Sequence, residues 1–183
     1  MGLYYPQHKE GSADRRNIQQ MPGTDYPGEC AAPRQIPGRQ TEKKQEDAVV
    51  WEKCPNIHLP DGALVALRSD WYKKWPDMDA LSGIDAEGKE NAPGWSLEAL
   101  EYIYKARNAA ANGHETLDTD SSAVAEEKGD LACERYVLDN DKLQVEVLAN
   151  LDKVQPAGAV VIVSYPRIEG ATGLPARVWA ITE

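Results

Sequence analysis

Residues 114–120 read His-Glu-Thr-Leu-Asp-Thr-Asp and set one imidazole, His114, beside the carboxyl groups of Glu115, Asp118 and Asp120. Imidazole and carboxylate are the donors that divalent metals take, so this stretch is a candidate rim for a metal or a polar substrate. The same acids are strong turn formers, and the stretch equally reads as a plain loop. Three tryptophans, Trp71, Trp75 and Trp95, offer flat apolar surface to an aromatic substrate. Core or interface packing is the other use of such rings. His58 precedes a Pro-Asp-Gly turn and reads as a surface residue. Cys30, Cys54 and Cys133 are odd in number and lack CxxC spacing, which argues against a disulfide framework or a zinc ribbon.

These residues must be positioned by the elements around them. Residues 60–62 form a turn before a buried-strand candidate, Gly62 to Arg68. Ser96 is placed to cap a helix over 97–111, with Leu97, Leu100 and Tyr104 on one face and Gly113 as its stop. Leu143, Val145 and Val147 alternate with Gln144 and Glu146, the period of a half-buried strand with Glu146 facing solvent. Ala159 to Val163 is a continuous Val- and Ile-rich run, which suits a strand covered on both faces. Ala176 to Ile181 reads as the last strand. Strands and a helix alternate from residue 48 to the end, so the expected class is α/β.

The length suits one domain with a sizeable core. The net charge is −10, and it is uneven. Residues 1–50 hold seven basic and seven acidic side chains, so the whole excess lies in residues 51–183. Such a surface disfavours nucleic acid and anionic membranes, whose phosphates need a basic footprint. No apolar run reaches the length of a membrane span, the first residues lack an apolar signal core, and the expected compartment is the cytoplasm. Residues 1–47 are rich in Pro, Gly, Gln, Arg and Lys, with few clustered aliphatics. Such a segment buries too little apolar surface to offset its ordering entropy. It is expected to be an extended or disordered leader, or else an arm that docks on a partner subunit.

Three blocks, taken in order, resemble the cyclase family, the family of kynurenine formamidase and isatin hydrolase. The first is WEKCPNIHLPDGALVALRSDWYKKWPD (51–77), in which Ser69, Asp70 and Trp71 occupy a Thr-Gly-Trp-like turn. The second is APGWSLEALEYI followed by GHETLDTDSS (92–122), similar to the family's helix and the Asp-Thr turn after it. The third is DNDKLQVEVLANLDKVQPAGAVVIVSYPRIEGATGLPARVWAITE (139–183). The resemblance covers 48–183 and implies a swivelling β/β/α domain. It also implies hydrolysis of an amide, formamide or lactam by water activated on Zn²⁺ or Mn²⁺.

The family's metal motif, HxGTHxDxPxH, is absent: the only histidines are His8, His58 and His114. Either the front of the family sequence is missing from this chain, or the chain is a relative that never held a metal. By the resemblance Glu146 matches a metal-binding Glu. Glu134 stands twelve residues before it, where kynurenine formamidases have a His. His114 is a further candidate ligand. So few ligands imply weak metal binding and slow turnover, and a homo-oligomer or a non-catalytic interaction subunit is the alternative role.

Overall fold

The computed structural model describes residues 2–4 and 59–182. His8, Cys30, Cys54 and His58 lie outside them, as does the expected leader except for its first strand. Five strands form one sheet: β1 (Gly2–Tyr4), β2 (Leu64–Leu67), β3 (Ala111–His114), β4 (Leu143–Val145) and a later strand, β6 (Gly173–Pro175). Their order is β2-β3-β4-β1-β6. The first three are parallel, with Val65 beside Asn112 and Asn112 beside Gln144. β1 is antiparallel to both of its neighbours. A second, two-stranded sheet pairs β5 (Val160–Ser164) with β7 (Arg177–Ile181).

Among the described residues four α-helices fill the connections: α1 (Met78–Ser82), α2 (Leu97–Glu101), α3 (Ser122–Lys128) and α4 (Ala132–Asp139). α2 starts where Ser96 Oγ accepts the Ala99 N–H at 3.2 Å, as its sequence position predicts. It does not run to Ala111. A π-helical turn, Tyr102–Ala106, continues it, and Asn108 with φ 51° turns the chain away. Residues 111–114 are therefore strand, and Gly113 lies inside β3 rather than stopping a helix. A Cβ on Gly113 would sit 2.6 Å from Leu148 Cδ1, so the bare backbone there is the seat of the Leu148 side chain.

The sheet is covered on both sides. Val65, Leu100, Ile103, Tyr104, Ala109, Cys133 and Val137 form a core between α2, α4 and the parallel strands. Full burial of a side chain such as Leu100 or Val137 contributes roughly 1.5–3 kcal/mol. Val145 and Leu148 pack with Leu64, Leu143, Val163, Tyr165 and Val178 on the other side, where the β5–β7 ribbon lies. The layers are helix, sheet and ribbon, the α/β arrangement expected from the sequence.

Two strand readings are corrected. Val161 and Ile162 are exposed, so β5 is not covered on both faces; among the described residues its sheet has two strands, and Trp179, beside Ile162, is 49 % exposed. Gln144 and Glu146 are buried rather than solvent-facing, because β4 lies inside the sheet with helices over that face. Among the described residues no helix is long and apolar enough to cross a membrane.

Candidate functional site

Parallel strands present their carboxyl ends together, and open α/β sheets place ligands there. Here the ends of β3 and β4 carry His114 and Glu146, and the first turn of α4 adds Glu134. Glu146 is 5 % exposed, and its Oε1 has no hydrogen-bond partner among the described residues. Burial, followed by the neighbouring carboxylates of Glu134 and Asp118, pushes its carboxyl up to about 8. Burial, then Asp118 and Asp120, raise Glu134, which is half-buried. Asp118 keeps much of its surface in solvent, yet desolvation, then Glu90 and Asp120, raise it too. The charges of Glu134 and Asp118 thus act against that of Glu146, and burial favours its protonated form.

His114 does not join them as a free ligand. It is fully buried, and burial pulls its imidazole down to about 4. Its Nδ1 lies 3.2 Å from the Thr116 carbonyl oxygen and 3.0 Å from Thr116 Oγ1, and its Nε2 lies 3.1 Å from Thr119 Oγ1. Among the described residues no three His, Cys, Asp or Glu side chains are gathered so as to hold a metal ion. With His114 committed to threonines, Glu146 and Glu134 do not make a site for Zn²⁺ or Mn²⁺ on their own.

The other acids of the 114–120 stretch have structural partners. Glu115 Oε2 accepts from the Ser69 N–H at 2.8 Å, the Ser69 hydroxyl at 3.1 Å and the Trp71 N–H at 3.0 Å. It thereby closes the turn after β2. Asp120 accepts the Cys133 N–H on Oδ1 at 2.9 Å and on Oδ2 at 3.0 Å, and the Glu134 N–H on Oδ2 at 3.0 Å. Leu131, the residue before α4, offers no side-chain cap, so Asp120 satisfies the helix's open donors from across the fold. It also fixes where Glu134 starts. Asp120→Ala would strand buried N–H groups and is expected to cost about 2–4 kcal/mol in urea unfolding. A loss under about 1 kcal/mol would mean that water caps α4 equally well.

The three tryptophans have separate surroundings. Trp71 donates its indole N–H to the Leu81 carbonyl at 2.6 Å, and Lys74 Nζ sits 3.2 Å from its ring centroid. It lines a shallow groove with Lys74, Ala80, Gly83, Ile84, Asp85 and Asn91. Trp75 is 62 % exposed, and Trp95 packs against the α2–α4 core with its indole N–H toward the Gly113 carbonyl at 3.4 Å. Neither lines that groove. Cys133 is no nucleophile: its thiol donates to the Trp95 carbonyl, and burial pushes it up to about 12.

Sequence reasoning overlooked Thr116, Thr119, Asn112 and Gln144, all buried at these strand ends. The clue for Gln144 was its place between Leu143 and Val145, readable only once β4 was known to be an interior strand.

Comparison with known proteins adds a lineage. The family model described as Putative cyclase matches residues 13–121, beginning within the segment expected to be a leader. The isatin hydrolase of Roseibium aggregatum is 28 % identical over 131 residues, 72 % of this chain and 49 % of that protein. Isatin hydrolase A from Ralstonia solanacearum superposes with a TM-score of 0.67 at 29 % identity, covering 76 % of this chain and 52 % of that one. An isatin hydrolase bound to the product analogue thioisatinate gives 0.64 at 27 % identity, covering 73 % and 51 %. The chain spans about half the length of the curated relative it matches.

Proposed function

The chain belongs to the Putative cyclase family, and from that premise we propose that it carries part of a hydrolase site for an amide, formamide or lactam C–N bond. Glu146 is the proton-handling group. One observation carries this reading: a buried carboxyl at the carboxyl end of parallel strands, one of its oxygens unpartnered among the described residues, whose burial pushes it up to about 8. Hydrolysis adds water across the C–N bond, OH to the carbonyl carbon and H to the departing nitrogen. A carboxyl with a pKa near the working pH can give that proton and regain it from water. Burial, and after it the charges of Glu134 and Asp118, favours the proton on Glu146. The names of the relatives point to isatin, a lactam, as a first substrate to try. Zn²⁺ or Mn²⁺, where used, would polarise the carbonyl. Its ligands would have to include groups beyond those described.

The test is turnover of isatin and N-formylkynurenine by the full chain, with Zn²⁺, with Mn²⁺ and with chelator, beside Glu146→Gln. The expected result is slow turnover that falls about 10²-fold or more in the variant, the usual worth of a general acid. Equal rates for the two proteins would remove Glu146 from the chemistry. A second reading, a non-catalytic interaction subunit that pairs with further copies, draws on the exposed Ile162, Trp179 and Ile181 of the ribbon. Absence of turnover under every condition, with a dimer in sedimentation, would favour it.

A further inference from the structure

We infer that His114 is a positioning residue, a neutral imidazole with its proton on Nδ1 that locks the turn carrying Asp118 to the strand end carrying Glu146. The proton count leads there. Thr116 Oγ1 donates its only hydrogen to the Asp118 carbonyl at 3.1 Å. Nδ1 of His114 therefore faces two acceptors, this Oγ1 and the Thr116 carbonyl oxygen, and it must carry the hydrogen. A neutral ring then has a bare Nε2, which can only accept, and the group within reach is the Thr119 hydroxyl.

That assignment reverses the Thr119–Gln144 contact. The two side chains are 2.8 Å apart, with Oε1 of Gln144 toward Thr119 and a buried Nε2 that has no partner among the described residues. Oxygen and nitrogen of an amide exchange places by a half-turn. Turned, Nε2 donates to Thr119 Oγ1 and Thr119 donates to His114, so a buried orphan donor is satisfied. The result is one directed chain, from Gln144 through Thr119 and His114 to the Thr116 carbonyl.

Both ends of the chain are tied to the site. The Thr116 carbonyl also accepts the Val147 N–H at 3.0 Å, and the His114 carbonyl accepts the Leu148 N–H at 2.8 Å. Gln144 precedes Glu146 by one strand repeat on the same face, and Asp118 lies between the two threonines. His114 thus spans the two segments whose separation sets how Asp118 meets Glu146. The value of that separation for chemistry rests on the proposed hydrolase reading; the latch itself does not.

The experiment is nitrogen-15 NMR on the full chain with labelled histidine, His114 being assigned by its loss in His114→Asn. The expected spectrum shows a protonated Nδ1 and a bare Nε2 unchanged between about pH 5.5 and 8. An Nε2-protonated ring, or a ring that titrates in that range, overturns the proposal. The second measurement is amide exchange. His114→Ala should speed Val147 exchange about tenfold, the order of one lost buried hydrogen bond. His114→Asn, whose amide can replace the Nδ1 donor, should bring it back to within about threefold. Equal exchange in all three proteins also overturns it. If His114→Ala does not fold, the spectrum of the unaltered chain decides alone.

Discussion

Gly94→Ala is expected to cost at least about 3 kcal/mol, a large share of the roughly 5–15 kcal/mol that holds a domain of ordinary stability together. The segment 92–95 lies along 119–122. Trp95 N–H donates to the Thr119 carbonyl at 2.8 Å, and Ser122 N–H donates to the Ala92 carbonyl at 3.0 Å. A Cβ on Gly94 would lie 2.3 Å from the Asp120 carbonyl carbon and from Ser121 N, and 2.6 Å from the Asp120 carbonyl oxygen. All three are backbone atoms, so no rotamer change relieves the contact. Overpacking alone costs typically 1–3 kcal/mol. Relief here would also shift Asp120 and break its cap on α4. The control is Gly88→Ala, where a Cβ meets nothing within 4 Å and only the positive φ of 79° is strained. That change should cost about 1–2 kcal/mol. The measurement is urea unfolding of both variants, and a Gly94→Ala loss no greater than the Gly88→Ala loss would show that the two segments separate easily.

Glu146→Gln should stabilise the protein at alkaline pH, against the usual effect of altering a buried residue. The folded-state pKa of about 8 lies above the ordinary glutamate value of 4.5. The folded state therefore binds the extra proton between those values. Its contribution to stability is complete below about 4.5 and is lost as pH rises through about 8. Above that, the charged carboxylate is held away from water and beside Glu134 and Asp118. At 1.36 kcal/mol per unit the full difference is on the order of 4–5 kcal/mol, an upper figure since water can enter the site. Gln keeps the shape and never ionises. Its unfolding free energy should be close to that of the parent near pH 5 and exceed it by about 2 kcal/mol or more at pH 9. Parallel pH profiles for the two proteins would place Glu146 in contact with solvent or a cation.

Much of the positioning frame is readable in the chain. Ser96 marks the start of α2, the Pro-Asp-Gly turn precedes β2, and the Arg177–Ile181 strand stands where its Val and Ile predict. The failures share a cause. Residues 109–114 look like the end of a helix because Ala favours helices. Asn108 at positive φ and the pairing with β2 and β4 override that preference. Val161 and Ile162 look like core because the run is apolar, but nothing in their spacing tells that the sheet has two strands. The site was half legible. The resemblance pointed to Glu146 as a carboxylate and to Glu134 at a place where kynurenine formamidases have a His, and the two carboxyl groups influence each other here, whereas His114 was read as a ligand by residue type. Its threonine partners are ordinary residues until the strand end folds them around it.

The place of β1 has a consequence for how the molecule assembles. Gly2–Tyr4, near the start of the chain, lies inside the main sheet: Leu3 pairs with Val145 on one side and with Leu174 on the other. These pairings join the first residues to nearly the last, so their loop-closure entropy falls due before any local contact offsets it. Contacts of such sequence separation slow folding. During synthesis β1 emerges well before residues 143–145 and 173–175, and must wait for them before either neighbour exists. The β2-β3-β4 parallel layer, with its helices, can form in the meantime, and the sheet becomes continuous only when residues 2–4 insert between β4 and β6.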